Sequence, residues 1–172
     1  MRKKIGVFYG STTGNTEHVS TLIKELMGSE KVEIFDIDGA TIEDVNKFDN
    51  LAFGIPTWDI GELQEDWISW IENIDDEKIQ LKGKKFAVFG VGDQDGYPDT
   101  FGDAIGILYD KLIEKGAIPV IDKWPIDSYK FDESKGLKDG YFVGMMLDED
   151  SQPELTQKRV EDWVNLANQQ FD

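Results

Sequence analysis

Apolar and polar positions along this chain follow two periods in turn, one of strands and one of helices. The unbroken run Ile5-Gly6-Val7-Phe8-Tyr9 predicts a buried strand over Lys3–Tyr9. Val19, Leu22, Ile23 and Leu26 then recur at helical spacing, which predicts a helix from about Asn15 to Met27, ending near Gly28. Val32–Asp36 alternates and reads as a short edge strand. Thr41, with Asp44 three residues on, caps a short helix. Leu51–Ile55 and Phe86–Gly90 repeat the buried-strand pattern. Between them Leu63, Trp67, Trp70, Ile71 and Ile74 mark a helix. Another carries Phe101, Ile105, Leu108, Leu112 and Ile113, with Asp99 as its cap and Gly116 at its end. Ala117–Ile121 begins a fifth strand, and Pro119, which has no N–H to donate, suits an edge position.

The stretch of about 122–140 is polar, with Tyr129 and Phe131 set among turn residues. It reads as an insertion into the fifth strand, which Tyr141–Leu147 then resumes. Ser151 and Glu154 have capping-box spacing before a last helix through Leu155, Val160, Trp163, Val164 and Leu166. Strands alternating with helices make this an α/β chain: one doubly wound, five-stranded parallel sheet covered on both faces, a single domain over residues 1–172. In such sheets ligands sit at the carboxyl ends of the strands. The loops leaving the first, third and fourth strands all reach that edge, and they carry the unusual chemistry.

The first loop is Gly10-Ser11-Thr12-Thr13-Gly14-Asn15-Thr16. It offers hydroxyls, an amide and backbone N–H groups at a helix N-terminus, a neutral donor set for one phosphate monoester. Asn15 stands where a triphosphate loop needs lysine, and the G-x-G-x-x-G dinucleotide fingerprint is missing. An ordinary strand-to-helix turn capped by Ser11 or Thr13 remains the plainer reading. The second loop places Trp58 after a strand and the third places Tyr97 similarly. Each ring either packs on the core or covers one face of a planar ligand. Asp93, Asp95, Asp99 and Asp103 crowd the third loop, but no glutamate completes a calcium loop, and no metal is assigned.

Composition narrows the chemistry. A net charge of −17 disfavours nucleic acid and anionic membrane surfaces. With no cysteine, disulfides, iron–sulfur ligation and thiol catalysis are excluded, so any redox role needs a bound cofactor. The single histidine, His18, falls on the polar side of the first helix and reads as a surface residue. No run approaches the ~20 apolar residues of a membrane span, and the protein is expected in the cytoplasm.

Across these three loops, in order and at matching spacing, the chain resembles the flavodoxins. The resemblance rests on Ser11-Thr12-Thr13-Gly14-Asn15-Thr16, on Pro56 to Gln64, and on Gly90-Val91-Gly92-Asp93-Gln94-Asp95-Gly96-Tyr97. The insertion resembles the one that defines the long-chain subgroup. The resemblance implies strand order 2-1-3-4-5 and noncovalently bound FMN, its phosphate in the first loop. It implies Trp58 on one ring face, Tyr97 on the other, and contacts from Thr57, Asp59, Ile60, Gly61, Val91, Gly92 and Asp93. Asp150 matches a position that reaches the ribityl hydroxyls, though it also falls where the last helix would be capped.

The implied function is electron transport, not enzyme catalysis: a low-potential one-electron flavoprotein, shuttling between semiquinone and hydroquinone in place of or beside ferredoxin. Its implied partners are reductases of the ferredoxin–NADP⁺ type and low-potential oxidoreductases with basic docking surfaces, met by an acidic monomer. A peptide near residues 59–60 would turn toward the flavin on reduction. Asp59 there tolerates positive φ less well than glycine. A charge ~10 Å from an anionic ring costs ~0.4 to ~1.7 kcal/mol, and 1.4 kcal/mol is about 59 mV for one electron. The alternative is an FMN-dependent NAD(P)H:quinone reductase of the same fold. It needs an open ring face and a basic nicotinamide-phosphate site, and these loops have no basic residue.

Overall fold

The computed structural model describes residues 3–11, 13–58 and 62–172, with the side chains of Trp58 and Glu62 excepted. Strand β1 (Ile5–Tyr9) is buried at every residue. It runs parallel to β2 (Val32–Asp36) on one side and β3 (Asn50–Trp58) on the other, with Val7 opposite both Ile34 and Ala52. The two-residue strand β4 (Glu62–Leu63) folds back antiparallel on the end of β3. The sheet continues from β3 into β5 (Lys85–Val91). The last position is filled by two pieces. β6 (Ile118–Pro119) pairs with Lys85 and Phe86, and β9 (Gly144–Leu147) pairs with Val88–Val91, both parallel to β5. Counted as one interrupted strand, they give the doubly wound order 2-1-3-4-5.

The predicted insertion is what interrupts that strand. The chain leaves the sheet after Val120, forms a hairpin of β7 (Leu137–Lys138) and β8 (Tyr141–Phe142), and re-enters at Gly144. Tyr141–Leu147 is therefore not one strand. The break falls at Val143, whose N–H turns to the Gly136 carbonyl at 2.9 Å. The insertion brings its own aromatic cluster, in which Tyr129 and Phe142 pack edge to face at 5.2 Å and both approach Phe101.

Helices cover both faces. On one, α1 (Asn15–Met27) and α5 (Thr156–Gln170) pack together, with Trp163 of α5 meeting Phe89 of β5 at 6.3 Å. On the other, Trp67 of α3 (Glu65–Asp75) meets Phe53 at 5.8 Å and donates its indole N–H to the Gly54 carbonyl at 2.9 Å. Alternate residues of a strand face opposite sides, so Phe53 and Gly54 serve different helix layers. The short α2 (Ile42–Asn46) has the expected capping box, with the Thr41 hydroxyl and the Asp44 carboxylate each accepting the other's N–H.

Two other expected caps do not form. Asp99 is exposed and does not cap a helix. Thr100 and Phe101 lie in the turn before α4 (Asp103–Glu114), whose cap is Gly102 at φ 78°. The Ser151–Glu154 capping box is likewise absent. The Ser151 N–H goes to Asp148, and the chain enters α5 through a 3₁₀ turn, Pro153–Leu155, capped by Gln152. Leu63, expected on α3, lies in β4. Among the described residues no helix is long and apolar enough to cross a membrane.

Candidate functional site

The loops leaving β1, β3 and β5 meet at the carboxyl edge of the sheet around a cleft of about 510 Å³. Thr13, Asn15, Pro56, Thr57, Gly92, Asp93, Tyr97 and Asp150 line it. All of these but Pro56 were predicted from sequence, and the fold brings them to one cavity. Ser11, Gly14, Thr16 and Val91 support its walls without lining it. Thr12, Asp59, Ile60 and Gly61 lie outside the described residues, as does the side chain of Trp58.

The first wall is the turn into α1. Gly14 sits at φ 88°, a conformation that glycine adopts without strain, and is the helix cap; neither Ser11 nor Thr13 fills that role. The Ser11 hydroxyl oxygen instead accepts the Gly14 N–H at 3.0 Å and holds the turn closed. The Gly14 carbonyl accepts the His18 N–H at 2.9 Å, starting the helical ladder, and His18 itself is exposed. A glycine cap offers no side-chain acceptor to the first-turn N–H groups. The helix therefore opens toward the cleft with its positive end and with the Thr13 hydroxyl and the Asn15 amide beside it. Thr16 is buried: a methyl added at Gly54 would come within 2.8 Å of its Cγ2, so α1 starts directly on β3.

The opposite wall is acidic. One carboxylate oxygen each from Asp93, Asp148 and Asp150 lie within 4.8 Å of one another. Burial, then the charges of Asp93, Asp148 and Glu149, push the Asp150 carboxyl above its ordinary value. The other acids of the third loop are dispersed. Asp103 is buried at the start of α4, where its carboxylate accepts the Lys135 N–H at 2.7 Å, and burial raises its pKa. The Tyr97 ring, at the cleft rim, keeps 40% of its surface exposed, while Phe101, four residues on, is 1% exposed. A large ring left in water beside a neutral donor turn suits a planar aromatic ligand bearing a phosphate. The donor set and the exposed ring fit FMN.

Sequence reasoning missed Asp148, and it named Gln94 and Pro56 only within the segments that carry the resemblance, without a role at the site. Asp148 is fully buried at the end of β9 and collects three backbone N–H bonds, from Gln94, Asp150 and Ser151. Its one sequence signal is an acid directly after the apolar run Met145-Met146-Leu147.

Residues 7–163 match the Flavodoxin family model. The chain is 49% identical over 163 residues to the flavodoxin of Synechocystis sp. (strain ATCC 27184 / PCC 6803 / Kazusa), covering 94% of each. It is 42% identical over 167 residues to flavodoxin 1 of Escherichia coli (strain K12), covering 96% of this chain and 93% of that one. The crystal structure of the Fusobacterium nucleatum flavodoxin bound to flavin mononucleotide superposes with a TM-score of 0.89. That protein is 30% identical, and the match covers 99% of each chain. With its sheet order, its three-loop cleft and these likenesses over nearly its whole length, the chain belongs to the flavodoxin family.

Proposed function

We propose that this chain is a single-domain, one-electron carrier that holds FMN noncovalently in the carboxyl-edge cleft. The observation that carries this reading is the cleft itself, with a phosphate-type donor turn at one end and an exposed tyrosine at the other. Bound there, FMN would accept electrons from a reducing partner in two successive one-electron steps and pass them on to an oxidising one. Thr13 and Asn15, with the N-terminus of α1, take the phosphate through neutral donors. Tyr97 would cover one face of the ring and keep water from it. Asp150 is placed for the ribityl hydroxyls. The backbone of residues 91–93 would meet the ring's polar edge.

The acidic wall sets the direction of tuning. Asp93, Asp148 and Asp150 disfavour added negative charge in the cleft, and that lowers the second one-electron potential. The same edge explains partner choice. The loops 10–17, 57–66, 92–103 and 148–157 carry acids but no lysine or arginine. Lys3, Lys4, Lys84 and Lys85 lead into β1 and β5 at the opposite edge. Such a charge dipole presents the cofactor edge to basic docking surfaces of redox partners in the cytoplasm, and it steers monomeric encounter.

Titration of the apoprotein with FMN, followed by quenching of flavin fluorescence, tests the site. One FMN per chain with strong quenching is expected; no quenching at micromolar protein overturns the reading. Rapid NAD(P)H oxidation with a quinone, without any added reductase, would move the assignment to the reductase alternative.

A further inference from the structure

We infer that Asp148 is the positioning residue of this cleft, a buried anionic bracket that fixes both loops on the Tyr97 side. This rests on the reading of the cleft as an FMN site. The side chain is 0% exposed, and among the described residues it forms no ion pair with lysine or arginine. Backbone donors bind its carboxylate directly, with the Arg159 guanidinium acting on it from beyond ion-pair distance. Oδ2 accepts the Gln94 N–H at 2.9 Å, and Oδ1 accepts those of Ser151 at 2.8 Å and Asp150 at 3.1 Å.

The geometry extends the sheet beyond its last ladder bond. The Leu147 carbonyl takes the Gly92 N–H at 3.0 Å. Just beyond that bond, a carboxylate takes over where the backbone ladder ends. From that anchor the third loop closes on itself, with Asp93 accepting the N–H groups of Gly96, through its side chain, and Tyr97, through its carbonyl, each at 2.9 Å. Gln94, 2% exposed, is pinned a second time by the Lys130 N–H on its Oε1 at 2.6 Å. The other carboxylate oxygen shapes the turn that presents Asp150. One side chain thus sets where Tyr97 and Asp150 stand.

The requirement is for a carboxylate and not its amide isostere. A carboxylate accepts on both oxygens, whereas asparagine must turn its NH₂ toward either Gln94 or the Asp150–Ser151 pair, donor against donor. Asp148→Asn should keep the fold yet weaken FMN binding at least about tenfold, the worth of one hydrogen bond to a charged group. The decisive readout is the double variant with Tyr97→Ala. If Asp148 acts through Tyr97, the two losses combine to less than their product, since coupled sites are not additive. A merely structural aspartate gives losses that multiply, and that outcome overturns the inference, as does unchanged affinity in Asp148→Asn. Amide exchange on the unmutated apoprotein reads the same bracket should the variant not fold: the Gln94 N–H must exchange much more slowly than that of exposed Asp95. Equal rates overturn the bracket. If the unmutated protein fails to take up FMN, the functional reading falls, and the exchange rates still decide the bracket.

Discussion

The Thr57 hydroxyl oxygen accepts the Ala104 N–H at 3.1 Å, so the end of β3 caps the helix that follows β5. Gly102, the residue in cap position, has no side chain to do this. A residue chosen from sequence for cofactor contact therefore also holds two elements together. Thr57→Val keeps the volume but removes the acceptor. It should cost about 1 kcal/mol, the usual worth of a cap, in urea unfolding of the apoprotein, while Thr57→Ser should cost much less. Equal stability for the valine variant would show that the bond contributes nothing.

The insertion rides on α4 at Gly106. A Cβ placed there would lie 2.0 Å from the Lys135 carbonyl oxygen and 2.9 Å from the Gly136 nitrogen, backbone atoms that cannot swing aside. In an open helix Gly→Ala is stabilising by about 1 kcal/mol. Gly106→Ala should instead destabilise by roughly 1–3 kcal/mol, as overpacking does. Gly39→Ala, where a Cβ meets nothing within 4 Å, should shift stability by under about 1 kcal/mol. Thermal unfolding of the pair checks the contrast.

Tyr129 ties the insertion to the sheet and to α5. Its hydroxyl donates to the Met146 carbonyl at 2.5 Å and accepts the Trp124 indole N–H at 2.9 Å, and the Arg159 guanidinium lies 4.0 Å from its ring centre. Burial pushes its pKa up to about 12. A phenol raised on folding contributes stability that is full below the unfolded value of about 10 and is lost as the pH climbs through the folded value. Stability should therefore fall between about pH 10 and 12, by roughly 2–3 kcal/mol from this group. In Tyr129→Phe the fall should be smaller. Tyrosinate absorbance and denaturant midpoints over that range test it.

Tyr97 should matter to the cofactor and not to the fold. With 40% of its surface exposed, its removal leaves the core intact. Tyr97→Ala should weaken FMN binding by about tenfold or more, through lost stacking and lost burial, with the unfolding midpoint of the apoprotein unchanged. Unaltered affinity would place the ring outside the cofactor's cover.

The sheet was legible in sequence because a buried parallel strand is apolar on both faces. Ile5–Tyr9, Leu51–Ile55 and Phe86–Gly90 therefore stood out from every neighbour. The first and third loops were legible because glycine and hydroxyl residues cluster in the one, and glycine and acids in the other. The devices joining the loops were not. The capping hydrogen bond of α4 goes to a hydroxyl 47 residues away, which left Asp99 as a false local candidate. Asp148 reads as one acid among many in Asp148-Glu149-Asp150, since its first donor, Gln94, is 54 residues distant. The broken fifth strand was visible as composition, but not the turn at Ile121, where a β-branched residue at φ 54° is held by its N–H bond to Gln170 Oε1 at 2.7 Å.

The measurement that reaches the central claim most directly is stepwise anaerobic reduction of the FMN-loaded protein, with the visible spectrum recorded at each addition. A one-electron carrier gives two separated steps, with a long-wavelength absorbing species dominant at one electron per flavin and the second step at markedly lower potential. Passage from oxidised to fully reduced flavin in a single two-electron step, with no such species at the midpoint, would contradict the account.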